Sequence, residues 1–108
     1  MAHRVRITPE AEDDLRAIGD YLVAQHAPET ERRFVQSLRR RIALLKAFPE
    51  GYGLAPEAQA AGVELRQLIH GMYRVLYTVE GKNVTIHAVR HGARRPLRPD
   101  ELPGGNKP

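Results

Sequence analysis

The feature that most constrains this fold is a pair of alternating segments near the end of the chain. YRVLYTV and VTIHAV place β-branched, aromatic or other apolar residues at every second position, and Glu-Gly-Lys-Asn joins them. Alternation with a period of two is typical of half-buried strands, and a glycine in a short polar connection is typical of a hairpin turn. The sequence therefore predicts an antiparallel β-hairpin formed by residues 72–79 and 84–91.

Two further segments have a strand-like composition. Residues 63–69 reach the hairpin through His70-Gly71, a dipeptide suited to a tight turn. Residues 3–7 alternate near the start of the chain, with Val5 and Ile7 on one side. The sequence therefore predicts a short N-terminal strand and a C-terminal meander of three strands.

The region between these strands predicts two amphipathic helices. Pro9 suits the first turn of a helix, and apolar residues then recur at the helical period as far as Leu22. Pro28 ends this helix near residue 26 and begins a second one, which is expected to run to Phe48. A short connection between them predicts an antiparallel helical hairpin. Residues 49–62 are rich in Gly, Pro and Ala without periodicity, and we expect a surface loop there.

These elements predict an α+β fold. The short N-terminal strand is expected to join a mainly antiparallel sheet that the C-terminal meander completes, with the helical hairpin packed on one face. A chain of 108 residues suits one hydrophobic core. We therefore predict a single domain over residues 1–95, followed by an irregular tail over residues 96–108 that is rich in Pro and Gly.

Composition restricts the class of protein. The chain has no cysteine, which excludes disulfides and thiolate metal sites. It also has no apolar run long enough for a signal peptide or a membrane span, so we predict a cytoplasmic protein with no membrane partner. The net charge of +4 and a pI of about 9.9 favour a polyanionic partner, either nucleic acid or an acidic protein.

Strict alternation assigns each residue of the hairpin to a face. If Val79 pairs with Val84, the predicted helix-side face consists of Tyr73, Val75, Tyr77, Val79, Val84, Ile86 and Ala88. The opposite face then carries Arg74, Leu76, Thr78, Thr85, His87, Val89 and His91. The second face is mixed in character, with basic groups gathered at one end, and we expect it to be partly open and positive.

Basic residues on and beyond that face are the candidate binding groups for a target or partner: Arg66, Arg74, His87, His91, Arg94 and Arg95. Alternation puts Arg66 on the buried face, so it needs an edge position or a bulge to join the others. A solvated sheet face explains such residues equally well. His87 and His91 are separated by four residues of strand, roughly 13 Å, which is too far for a shared ion. We predict no metal and no cofactor.

The order of these motifs resembles a known family. TPEAEDDLRAIGDYL, FVQSLRRRIALLKAFPE and ELRQLIHGMYRVLYTVEGKNVTIHAVRHGARR, in this order after a strand, resemble the RelE/ParE superfamily of type II toxin–antitoxin toxins. The resemblance covers residues 4–95 and is greater to the ParE-like branch. It implies a toxin of plasmid maintenance or stress response that a cognate antitoxin neutralises by wrapping its C-terminal segment over it, in a hetero-oligomer.

The resemblance leaves two targets open. ParE-like toxins inhibit DNA gyrase, whereas RelE-like toxins are endoribonucleases that cut mRNA on the ribosome. A metal-free ribonuclease needs groups that activate the 2′-OH, stabilise the phosphorane and protonate the leaving oxygen. By the resemblance Arg74 matches the Arg of the RelE-like Tyr-Arg motif, and Arg94 or Arg95 approximates a C-terminal basic position. His91 is a candidate acid or base, because histidine is the side chain that ordinarily exchanges protons near neutral pH.

Departures from the RelE-like pattern favour the gyrase inhibitor. No Tyr follows Arg95, and Arg66 is the only basic residue in the second predicted strand, where a Lys pair is usual. Whether the chain is an enzyme therefore depends on the branch: no for a ParE-like toxin, yes for a RelE-like one. A third hypothesis is a non-toxic binding partner or co-repressor that contacts nucleic acid through its positive surface.

Overall fold

The computed structural model describes residues 2–25, 28–93, 96–98 and 101. Within these residues the elements, in chain order, are strand β1 (Arg4–Ile7), helix α1 (Pro9–Gln25), helix α2 (Pro28–Ala43), the short helix α3 (Ala58–Ala61), and strands β2 (Arg66–His70), β3 (Tyr73–Glu80) and β4 (Asn83–His91). A single 3₁₀ turn, Leu44–Lys46, follows α2. None of the described helices is long and apolar enough to cross a bilayer.

The four strands form one mixed sheet in the order β1-β4-β3-β2. β2 pairs antiparallel with β3, and β3 pairs antiparallel with β4, as expected for a meander. β1 runs parallel to β4 at the edge, because the two helices carry the chain across the sheet before the meander begins. The predicted α+β fold with a mainly antiparallel sheet is confirmed.

The helical hairpin packs on one face of this sheet. Thr8 Oγ1 accepts a hydrogen bond from the Ala11 N–H at 3.1 Å, which caps the first turn of α1. The two helices approach closely at Gly19, since a Cβ there would lie 2.9 Å from Glu31 Oε1. The main core lies between helices and sheet and contains Leu15, Ile18, Leu38, Ile42, Leu45, Leu68, Val75, Tyr77, Val84, Ile86 and Val89.

The segment between α2 and β2 is not the surface loop that its composition predicted. Ala55 and Ala58 are buried and pack with Leu65, Leu76 and Ala88 in a second, smaller core. The Ala55 N–H also donates to the Leu65 carbonyl at 2.7 Å, which ties the segment beside the start of β2. The sheet face opposite the helices is therefore partly covered, and the expectation of an open face is wrong for this part.

A β-bulge in β4 corrects the face assignment made by strict alternation. Leu76 pairs with Ala88 and Tyr77 pairs with Ile86, so His87 is an extra residue between them. Beyond His87 each side chain of β4 lies on the face opposite to the predicted one. Ala88 therefore belongs to the second core, whereas Val89 and His91 lie on the helix side.

Candidate functional site

The structure separates the candidate binding residues into two groups. Arg74 and His87 lie on the sheet face away from the helical hairpin, and we call it the outer face. Arg66 and His91 lie on the helix side, because they pair in register with Tyr77 and Tyr73. The predicted sites Arg94 and Arg95 lie outside the described residues. Among the described residues, His91 is therefore separated from Arg74 and His87, with which strict alternation had grouped it, while Arg66 lies on the face that alternation gave it.

Arg74 is held by a buried carboxylate. Its Nη1 and Nη2 donate to Glu57 Oε1 at 3.0 Å and Oε2 at 2.7 Å, and Nη1 also donates to Gln67 Oε1 at 3.1 Å. The side chains of Arg74 and Glu57 are only 12% and 2% exposed. The hydrogen bonds from Arg74 lower the pKa of Glu57 to about 2, so the pair stays charged at neutral pH.

Glu57 joins three separate parts of the chain. It lies immediately before α3, bonds to Arg74 on β3, and accepts the Leu97 N–H at 3.1 Å through Oε2. Leu97 packs against the second core. The sequence analysis missed Glu57, although a single carboxylate within the alanine-rich stretch APEAQAAG is an unusual choice for a segment expected to be a plain loop.

Arg90 is a second residue that the sequence analysis missed. The bulge at His87 moves it to the outer face, where it pairs in register with Arg74 and is 8% exposed. Without the bulge, alternation from Ile86 would place it on the helix side. Two largely buried arginines therefore lie side by side on adjacent strands of the outer face, and Glu57 matches the charge of Arg74.

His87 occupies the bulge on the same face. Its Nε2 lies 2.8 Å from Thr78 Oγ1, within hydrogen-bonding distance. Burial lowers the pKa of His87, and the nearby positive charge of Arg6 lowers it further. The imidazole is therefore neutral at physiological pH and does not contribute to a positive surface.

Arg66 anchors the chain that follows α2. Its Nη1 donates to the Tyr52 carbonyl at 2.6 Å, and Nη2 lies 3.3 Å from Glu64 Oε1. The buried Tyr77 hydroxyl donates to the Pro49 carbonyl in the same region. Arg66 therefore packs over residues 49–52 and remains on the opposite face from Arg74.

His91 borders a cleft between α1 and the sheet. Its ring meets Tyr73 edge-on, with the ring centroids 5.3 Å apart, and its Nδ1 accepts the Ala93 N–H at 3.0 Å. The cleft has a volume of about 350 Å³, and its lining includes Asp14, Ala17, Tyr21, Tyr73, Val89 and His91. We call this space the aromatic cleft.

Arg74 and His91 come near each other at the end of the sheet, where both line one depression. Both border a shallow depression of about 290 Å³ above the turn at Gly71 and Met72. They reach it from opposite faces, and the Arg74 guanidinium is directed to Glu57. Among the described residues no group of three His, Asp or Glu side chains is placed to hold a metal ion.

The chain is similar to known toxins. The family model of the ParE toxin of type II toxin–antitoxin systems, parDE, matches residues 5–96. No curated protein matches the sequence.

Solved structures share the fold. The chromosomal ParDE TA system from P. aeruginosa is 24% identical with a TM-score of 0.72, over 83% of this chain and 96% of that chain. The toxin–antitoxin complex RelBE2 from Mycobacterium tuberculosis is 23% identical with a TM-score of 0.58, over 84% and 99%. A mutant of E. coli toxin RelE in the free state is 16% identical with a TM-score of 0.55, over 86% of each chain.

Proposed function

The chain belongs to the ParE toxin family of type II toxin–antitoxin systems, and on this premise we propose that it inhibits DNA gyrase and is neutralised by a cognate antitoxin. Similarity to a ParDE TA system and to the RelBE2 toxin–antitoxin complex supports the antitoxin as partner. The net charge of +4 favours an acidic docking segment, whose complementary charge would speed encounter more than it raises affinity. The two proteins form a hetero-oligomer in the cytoplasm, where gyrase acts.

The state of Arg74 is the observation that carries gyrase inhibition over ribonuclease activity. A metal-free ribonuclease requires a cation free to stabilise the phosphorane and an acid or base that reaches the same phosphate. The Arg74 guanidinium is instead bonded through both terminal nitrogens to Glu57, and its charge is matched there. His91 lies on the other face of the sheet. These positions favour a toxin that acts by binding its target.

The position of His91 supports a proposal for the contact residues. We propose that His91 and the basic residues Arg94 and Arg95 contact the target or the antitoxin, because the end of β4 lies beside the aromatic cleft. Arg66 and Arg74 instead hold the segment between α2 and β2 in place.

Pulse labelling in a bacterial host tests the proposed target. DNA and protein synthesis are followed in the first minutes after the toxin is induced without its antitoxin, with co-induction of the antitoxin as the control. We expect DNA synthesis to fall first, together with a DNA-damage response, and the antitoxin to restore growth. Cleaved plasmid should also accumulate when the toxin is added to a reaction of purified gyrase and plasmid.

Two other outcomes would reject the proposal. An earlier loss of translation, with mRNA cleaved on ribosomes, would make Arg74, His91 and Arg94 candidate catalytic groups of a RelE-like endoribonuclease. Normal growth during strong expression would instead support a non-toxic binding partner or co-repressor.

A further inference from the structure

Strand β1 leaves one edge of the sheet open. It is the last strand in the order β1-β4-β3-β2, so only one of its sides has a neighbouring strand. The N–H groups of Arg4 and Thr8 point to that side and donate to carbonyls of β4 and of the turn before it, at 2.7 and 3.1 Å. Because main-chain groups alternate in direction along a strand, Val5 and Ile7 direct their N–H and C=O groups outward, away from β4.

Most of this outward edge is uncovered. The His3 N–H donates to the Lys46 carbonyl at 2.7 Å, so the 3₁₀ turn after α2 covers only the start of the edge. Within the described part of the chain, no other group bonds to the outward N–H and C=O groups of Val5 and Ile7. An edge of this kind can pair with an extended segment of another chain.

Two arginines give the edge its charge. The side chains of Val5 and Ile7 pack against the main core, so those of Arg4 and Arg6 lie on the outer face, and both are exposed. Neither arginine has an ion-pair partner among the residues that the structure describes. Two copies of β1 that paired antiparallel about Val5 would bring Arg4 of each copy opposite Arg6 of the other, and like charges in such positions are destabilising. The edge therefore favours an acidic strand over a second copy of itself.

We propose that an extended acidic segment of the antitoxin adds to β1 as a fifth strand of the sheet. This inference rests on the antitoxin partnership proposed above. The main chain of the segment bonds to Val5 and Ile7, and every second side chain lies beside Arg4 and Arg6 on the outer face. Those positions carry Asp or Glu, whereas the positions between them are apolar, because they extend the core beside Val5 and Ile7. The antitoxin sequence should therefore contain a short run in which acidic and apolar residues alternate.

Hydrogen exchange of single amides tests this pairing in the full-length proteins. Exchange is followed by NMR in the free toxin and in its complex with the antitoxin. In the free toxin we expect Val5 and Ile7 to exchange faster than Arg4, whose N–H is already bonded within the sheet. In the complex, exchange at Val5 and Ile7 should slow by at least about tenfold more than exchange at Arg4.

Three outcomes would overturn the proposal in distinguishable ways. Unchanged exchange at Val5 and Ile7 in a complex that has formed would show that the segment binds elsewhere, and the antitoxin partnership would stand. Slow exchange at both residues in the free toxin, together with a dimer by light scattering, would show that a second copy covers the edge. If the two proteins fail to bind, the antitoxin partnership itself is wrong.

Matched charge reversals assign the affinity to this edge. The double variant Arg4→Glu, Arg6→Glu should lose at least about tenfold in affinity for the antitoxin, because the acidic side chains of the segment then face carboxylates. The control Arg32→Glu, Arg33→Glu makes the same change in net charge at two exposed positions of α2 and should lose less than about threefold. Circular dichroism verifies that both variants are folded. Equal losses in the two variants would mean that affinity follows the net charge alone, and the proposal would be wrong.

Discussion

At the scale of single residues, Arg74 shows that a charged residue within an apolar strand can have a partner inside its own chain. A charged residue within an apolar strand indicated a group directed at another molecule. The structure gives it an internal partner, Glu57, in a segment that was expected to be a surface loop. Removing two charges from water is costly, and it is compensated here by two hydrogen bonds of good geometry and by the Gln67 side chain.

Arg74→Ala is therefore expected to destabilise the protein. The change leaves the buried Glu57 carboxylate without its main partner, which should lower the free energy of unfolding by about 3 kcal/mol or more. Urea denaturation followed by circular dichroism measures the loss. The double variant Glu57→Gln, Arg74→Met should recover part of it, because no buried charge is then left unpaired.

An exposed ion pair on α1 is the matched control for this prediction. Arg16 bonds to Asp13 with both side chains more than two-thirds exposed, so Arg16→Ala should change the free energy of unfolding by less than about 0.5 kcal/mol. Arg74→Ala could instead lower the free energy of unfolding no more than Arg16→Ala does and still abolish toxicity. Arg74 would then contact the target, and its role in holding the segment between α2 and β2 would be minor.

At the scale of elements, the bulge in β4 decides which residues meet. An added residue shifts the alternation by one position, so every side chain beyond it changes face. His87 thereby places Val89 in the main core and Ala88 in the second one. It also brings His91 to the aromatic cleft and Arg90 beside Arg74.

Deletion of His87 should accordingly disrupt both cores. Without the extra residue, Val89 would turn to the outer face and Arg90 would enter the main core. We expect a loss of more than about 4 kcal/mol, which for a domain of this size means little folded protein. Circular dichroism and the dispersion of amide NMR signals measure the remaining fold.

His87→Ala separates the bulge from the side chain. This variant keeps the extra residue and loses only the contact with Thr78, so it should cost about 1 kcal/mol. Equal stability of the deletion variant and His87→Ala would contradict the role assigned to the bulge.

The periodicity of apolar residues identified most helices and strands of this fold. It did not identify which side chains of β4 lie on each face of the sheet, or what packs on the outer face. The strands and both helices have strong patterns, and their order led to the confirmed fold and family. A bulge leaves no signature in VTIHAVRH, because both registers place an apolar residue at most inward positions. The segment that packs on the outer face was missed for a similar reason. Apolar residues do not recur at a fixed spacing in APEAQAAG, yet its small residues pack closely against the sheet.

At the scale of the whole molecule, three buried or partly buried ionisable groups make the fold sensitive to acid. Burial lowers the pKa values of His70 and His87, so protons bind these residues more readily in the unfolded chain. Their contribution to stability is present above pH 6.5 and declines as the pH falls below it. Glu57, with a pKa of about 2, contributes stability that is present above about pH 5 and lost towards pH 2.

The free energy of unfolding should therefore fall in two stages as the pH is lowered from 7 to 2. Glu57→Gln isolates the second stage, because glutamine does not titrate. We expect this variant to be less stable than the wild type by about 3 kcal/mol at pH 7 and the difference to shrink towards zero near pH 2. Urea denaturation at intervals of one pH unit provides both curves.

An exposed carboxylate, Glu64, is the control for the second stage, in which stability is lost towards pH 2. Glu64 is 77% exposed, so Glu64→Gln should follow the wild type within about 0.5 kcal/mol throughout. If the curves of Glu57→Gln and the wild type run parallel, the Glu57 carboxylate is not the group that titrates in this limb. Packing would then be what holds the segment between α2 and β2 against β3 and Leu97. Acid would leave these contacts intact until the rest of the fold unfolds.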